Sequence, residues 1–126
     1  MRSLYLKSTE DTPEIYFNVE EDKYVISGRS LPENVIEFYK PVFLWLDDFN
    51  KFPMDTSEAV FIFKLYYFNT ASSKVVQDLI VYLDKLYRNG KHVKIMWYFD
   101  TDDEDIIDSG NEFQEMVSLP FEMLPY

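Results

Sequence analysis

The chain has 126 residues, with 23 acidic against 12 basic side chains, a formal net charge of −11, one histidine and no cysteine. A field of that sign repels nucleic acid and anionic lipid, so direct binding to either is disfavoured unless a basic patch is segregated, and none is visible. Without cysteine, disulfides, thiolate metal sites and cysteine nucleophiles are excluded together.

The length suits a single domain, 1–126, with one core. That core should be rich in rings, because aromatic residues make up 18% of the chain and hydrophobic residues 47%. No apolar run reaches the ~18 to 20 residues that span a bilayer, and the opening MRSLYLKSTEDT lacks the apolar centre of a signal peptide. A soluble cytoplasmic protein without membrane insertion is the expectation.

In chain order, residues 1–13 read as an extended lead-in. Glu14 to Val19 and Lys23 to Ser27 read as two short strands around Glu20-Glu21-Asp22, a hairpin that Gly28-Arg29 should end. Ser30-Leu31-Pro32-Glu33 has the form of a capping box, so a helix is expected to begin there. Its apolar residues fall at Val35, Phe38, Tyr39, Val42, Leu46 and Phe49, in phase across Pro41. A proline inside a helix costs ~3 kcal/mol, so the pattern predicts a kinked helix to about Asn50.

After the connection 51–56, Ala59 to Phe68 is apolar at nearly every position, which predicts an interior strand covered on both faces. Asn69-Thr70-Ala71-Ser72-Ser73 then leads into a helix with Val76, Leu79, Ile80, Leu83, Leu86 and Tyr87 on one face, closed by Gly90. Val93 to Phe99 is a further apolar strand. Strand, helix and strand in ~40 residues make a crossover unit with parallel neighbours. Asp100 to Asp105 should open a third helix carrying Ile106, Phe113, Met116 and Val117, weakened by Gly110. The segment from Leu119 to Leu124 reads as a last strand at the sheet edge. The sum is an α/β sandwich: about five strands in a mixed sheet, an N-terminal antiparallel hairpin, and two or three helices.

Few residues offer catalysis. The single His92 is expected to be structural or solvent-facing, and three glycines cannot form a phosphate-cradling loop. The run Asp100, Asp102, Glu104 imitates the start of a calcium loop, but Asp105 stands where glycine is required and Asn111 where glutamate is. No metal and no cofactor is therefore expected. Thr70 differs because of its place, where a strand gives way to a helix start. The plain reading is that Asn69 and Thr70 cap the helix. The alternative is a modification site, since a phosphate there would meet free backbone N–H groups and the positive end of the helix dipole.

Four stretches, Gly28-Arg29-Ser30-Leu31-Pro32-Glu33-Asn34, Tyr67 to Lys74, Trp97-Tyr98-Phe99-Asp100 and Leu119-Pro120-Phe121-Glu122, together resemble the SiaC-type regulatory phosphoproteins. The resemblance covers nearly the whole chain in matching order. It implies a bacterial protein with a STAS-like fold, similar to anti-sigma factor antagonists, in which a threonine at the strand-to-helix junction is phosphorylated by a dedicated kinase and dephosphorylated by a PP2C-type phosphatase. It further implies an effector that binds the unmodified form, a diguanylate cyclase in the best-known member, with control of cyclic di-GMP and biofilm growth. By position the acceptor is Thr70, within a phosphosite loop of Asn69, Ala71, Ser72 and Ser73. Ala71 and Ser73 depart from the family pattern, which bears on kinase choice. The sequence thus favours a non-enzymatic switch. The competing readings are a small enzyme or ligand-binding domain with a pocket between sheet and helices, and an oligomeric structural protein.

Overall fold

The computed structural model describes residues 1–53 and 57–126. Along the chain the elements are β1 (Leu4–Leu6), β2 (Glu14–Asn18), β3 (Lys23–Ser30), α1 (Val35–Lys51), β4 (Ala59–Phe68), α2 (Thr70–Arg88), β5 (Val93–Phe99), α3 (Glu104–Glu115) and β6 (Phe121–Pro125). The strands lie in one mixed sheet in sequence order, β1-β2-β3-β4-β5-β6. Pairings β1–β2 and β2–β3 are antiparallel, and the three that follow are parallel. Each parallel step is bridged by one helix. Because the steps all run the same way, crossovers of a single hand put every helix on the same face.

The register shows that face directly. Phe17, Tyr24, Phe61 and Ile95 stand in one row across β2 to β5, and Ile15, Ile26, Phe63 and Trp97 in the next, all buried. Rings from the helices close over these rows: Trp45 and Phe49 of α1 on Tyr24, and Phe113 of α3 on Trp97. In the alternate row Tyr16, Val25, Ile62 and Met96 are only half-buried and Glu122 is exposed. β4 is therefore covered on one face, not on both. Its Val60 and Ile62 belong to a sheet surface screened by long side chains. Lys64 lies over the Tyr98 ring at 4.7 Å, Lys23 over Tyr16 at 5.0 Å, and Lys94 pairs with Glu122 at 2.9 Å.

Other expectations change in detail. The lead-in contains a sixth strand, β1, paired antiparallel with β2 through Leu4–Phe17 and Leu6–Ile15. β3 does not stop at Gly28. With φ +115°, Gly28 takes a conformation that side chains avoid, and the register with β4 shifts between it and Arg29, a bulge that lets the strand run on to Ser30. Ser30 is thereby used up as a strand residue, and the cap of α1 moves to Asn34. Its side chain accepts from the Glu37 amide at 3.1 Å and donates to the Glu37 carboxylate at 3.3 Å. Helix α1 runs unbroken past Pro41 to Lys51, held by buried Tyr39, Val42, Trp45, Leu46 and Phe49. Of the connection expected over 51–56, residues 54–56 lie outside the described residues.

Gly110 does not act as a weak point in α3. A Cβ there would sit 2.6 Å from two atoms of the Trp97 indole, so the glycine lets the helix rest on the ring, and the Trp97 Nε1 donates to the Ile106 carbonyl at 3.1 Å. The approach fixes α3 against the ends of β4 and β5. At the far end of α2 the buried carboxylate of Asp84 accepts from the Ser118 and Leu119 amides at 2.9 and 3.0 Å, and this pins the turn that leads into β6.

Candidate functional site

The site grows out of the end of β4. Alternation keeps Leu65 buried, but Tyr66 and Tyr67 break the pattern with 58% and 45% of their surface exposed. Phe68 turns back against Trp97, ring centroids 6.3 Å apart, and Asn69 follows as the cap of α2. The Asn69 side chain accepts from the Ser72 amide at 2.9 Å, and its own N–H donates to the Ser30 carbonyl at 3.2 Å. Capping is thus done by Asn69 alone.

Thr70, Ala71, Ser72 and Ser73, expected as a loop, form the first turn of α2, with only Asn69 before it. Their side chains divide sharply. Thr70 is exposed, and among the described residues its hydroxyl makes no hydrogen bond; the Thr70 and Ala71 amides are likewise unbonded. Ser72 has no exposed surface, and its hydroxyl accepts from Ser30 at 2.9 Å, while Ser30 shares a 2.7 Å bond with the buried Tyr39 hydroxyl. Ser73 is half-buried. Burial pushes the Tyr39 hydroxyl up to about 12, with the Ser30 bond pulling the other way. These three hydroxyls tie the end of β3, the second turn of α1 and the start of α2 into one buried unit.

Thr70 opens onto a groove of about 510 Å³ between the start of α2 and helix α3. One side is formed by Tyr66, Tyr67 and the first turn of α2; the other carries Asp103, Asp105, Asp108 and Glu112. Asp103 caps α3, its carboxylate accepting from the Ile106 amide at 3.2 Å, and Glu104 and Asp105 follow in the first turn. The acidic run read as a failed calcium loop is therefore spent on a turn, Asp100 accepting from the Asp102 amide at 2.9 Å, and on a helix start. Among the described residues no group of three or more His, Asp or Glu is arranged to hold a metal ion. His92 is exposed at the mouth of β5, away from this groove's lining.

Sequence reasoning found the Thr70 side of the groove and missed the other. Tyr66 and Tyr67 carried a signal, two adjacent large rings where strand alternation should have placed one polar residue. Asp105, Asp108 and Glu112 carried another, a spacing that puts three carboxylates on one face of a helix.

Comparison with known proteins places this geometry in a group. The model of the SiaC family of regulatory phosphoproteins matches residues 6–126. The uncharacterized protein PA14_02130 of Pseudomonas aeruginosa (strain UCBPP-PA14) is 28% identical over 124 residues, covering 96% of this chain and 94% of its own. The crystal structure of apo-SiaC from Pseudomonas aeruginosa superposes with a TM-score of 0.87 at 27% identity, covering 98% of this chain and 99% of that one. A structure of SiaC in complex with diguanylate cyclase SiaD, of which it is the activator, also from Pseudomonas aeruginosa, gives the same TM-score of 0.87 and 27% identity over 98% of this chain and 99% of that one.

Proposed function

The chain belongs to the SiaC family of regulatory phosphoproteins, and on that premise we propose that residues 1–126 act as one non-enzymatic switch domain in the bacterial cytoplasm, phosphorylated on Thr70. A dedicated kinase adds the phosphate and a PP2C-type phosphatase removes it. The unmodified form binds an effector, a diguanylate cyclase by analogy with the activator complex, so that the state of Thr70 sets cyclic di-GMP output and biofilm growth.

One observation carries the reading: the Thr70 hydroxyl is exposed and unengaged while Asn69 caps the helix. A hydroxyl needed as a cap would be lost on modification, at a cost of about 1 kcal/mol. Here no hydrogen bond among the described residues depends on it. The phosphate would add ~1.5 to 2 negative charges beside the open Thr70 and Ala71 amides and the positive end of α2, a place that holds anions well. Its bulk and charge would alter the groove, not the core, so modification changes what can dock without unfolding the protein. Ser72 is unsuited to the same role because its hydroxyl has no exposed surface.

The test is intact-mass analysis after incubation with the cognate kinase and ATP, followed by cyclic di-GMP synthesis by the cyclase of the same cell. One phosphate on the wild type, none on Thr70→Ala, and cyclase activation by the unmodified protein are expected. Stoichiometric phosphorylation of Thr70→Ala would overturn the assignment, and equal activation by the phosphorylated form would overturn the switch.

A further inference from the structure

A phosphate on Thr70 would stand in an acidic setting. Asp103, Asp105, Asp108 and Glu112 face it from α3 across the groove, and among the described residues no basic side chain lines that groove. The guanidinium of Arg29 lies over the Tyr67 ring at 5.6 Å and lines a different hollow together with Glu14. The open start of α2 attracts the phosphate while the α3 carboxylates repel it, so the side chain that supplies its counter-charge decides where it points.

Lys74 is placed to supply it. It lies one turn along α2 from Thr70, where side chains at i and i+4 have Cβ atoms about 5–6 Å apart. It also stands about 40° around the helix axis from Thr70, in the direction opposite to Ser73, which lines the groove. The unmodified protein holds Lys74 loosely: its ammonium is 3.6 Å from an Asp78 carboxylate oxygen, with 70% and 52% of the two side chains exposed. In that pair the base precedes the acid along the helix, the weaker order, because it sets both charges against the macrodipole. A pair between phosphorylated Thr70 and Lys74 has the stronger order, and it offers about 1.5–2 charges and three acceptor oxygens where Asp78 offers one charge. We propose that phosphorylation of Thr70 moves Lys74 from Asp78 to the phosphate. The phosphate is thereby turned toward Lys74 and away from α3, and Asp78 loses Lys74 about 12 Å along α2 from the modified residue. The modification then changes the charge presented by α2 two turns beyond Thr70. The proposal rests on the reading of Thr70 as the acceptor and adds what its phosphate does.

The test uses the full chain with Thr70 carried as phosphothreonine, inserted during translation by a suppressor tRNA, so that no kinase is needed. The second ionisation of the phosphate, ordinarily near about pH 6, is followed by phosphorus NMR at low ionic strength. Lys74→Met should raise its midpoint by about 0.2–0.4 units, roughly a twofold change in the dissociation constant. Lys85→Met makes the same change of net charge on the far part of α2 and should move the midpoint by less than about 0.1 units. Asp78→Asn should lower the midpoint, because Lys74 loses a competitor, and should lose most of that effect in a Lys74→Met background. An unmoved midpoint in Lys74→Met, equal shifts from the two lysines, or a larger shift from Arg29→Gln than from Lys74→Met would overturn Lys74 as the counter-ion. An effect of Asp78→Asn that is the same in both backgrounds would overturn the exchange of partners. Because the phosphate is built in, a negative result here leaves the assignment of Thr70 as kinase acceptor standing, and failure of a kinase to modify Thr70 leaves this result standing.

Discussion

Two helix starts face each other across the groove, and they are built on opposite plans. Helix α3 begins with an acidic cap, Asp103, and two more acids, Glu104 and Asp105, so its positive end is already filled with negative charge. Helix α2 begins with a neutral cap, Asn69, and has no acidic residue in its first turn. Both satisfy the same requirement, since each cap accepts from the amide three residues on. They differ in what they leave over. The start of α3 has no unmet attraction for an anion, whereas that of α2 keeps its dipole and two unbonded amides open beside a threonine hydroxyl. A helix start that folds without a charge is one that can receive a charge later, and this separates the proposed modification site from an ordinary acidic helix start.

The comparison depends on the groove keeping its width, and Gly110 sets that width. Gly110→Ala places a methyl group 2.6 Å from the Trp97 ring, which is walled by Phe63, Phe68, Phe113 and Phe121 and cannot move away cheaply. Urea denaturation should show a loss of about 1–3 kcal/mol, and Gly110→Val more. A neutral substitution would mean that α3 is free to ride outward, and that the two helix starts do not face each other at a fixed distance.

Next in size is an alkaline effect centred on Tyr39, beneath the start of α2. Its hydroxyl stays protonated in the folded protein up to about 12, whereas an unfolded tyrosine ionises near 10. Above pH 10 the unfolded chain therefore binds fewer protons than the folded one, and stability falls with rising pH through the window from 10 to 12. The contribution is fully present below pH 10, and its loss from this residue approaches about 2 kcal/mol at pH 12. Tyr39→Phe should flatten that part of the pH profile. It should also cost about 1 kcal/mol at neutral pH, through the broken bond to Ser30. An unchanged alkaline profile in the variant would show that the hydroxyl is not held in the buried tie under α2.

The sequence displayed the α2 side of this comparison far better than the α3 side. Strand β4, the Asn69–Thr70 junction and the apolar face of α2 are local patterns, and each appears where its residues predicted it, except that Tyr87, expected on that face, is exposed. What stayed hidden depends on pairing between distant segments. Ser30 carries a respectable capping motif, and only the parallel pairing of β3 with β4 past the Gly28 bulge turns it into a strand residue and hands the cap to Asn34. Strand β1 has only three residues, and its partner β2 establishes it. The apolar residues on both sides of β4 concealed an open sheet face, because lysine stems and tyrosine rings can screen a surface as helices do. Gly110 read as a helix weakness because its reason, the Trp97 ring, lies on another element. Thr70 and Glu112 are 42 positions apart in the chain, so the wall opposite Thr70 could be seen only once the crossover had brought them together.

The smallest expected effect tests the contrast itself. Thr70→Asp puts a single negative charge at the open start of α2, where the dipole and the two unbonded amides should stabilise it by about 0.3–1 kcal/mol. The same carboxylate faces Asp103, Asp105 and Asp108 across the groove, and like-charge repulsion should cancel much of that gain, leaving the single variant near wild type in stability. In a background carrying Asp105→Asn and Asp108→Asn the repulsion is largely removed, so the same substitution should stabilise by the full amount. A double-mutant cycle isolates this difference. Whatever neutralising Asp105 costs the start of α3 appears in both backgrounds and subtracts out. The coupling should shrink as salt is raised from low ionic strength to 1 M, where screening acts within about 3 Å. An identical effect of Thr70→Asp in the two backgrounds would mean that the two helix starts do not sense each other. The acidic wall would then be a feature of α3 alone, electrostatically uncoupled from the start of α2.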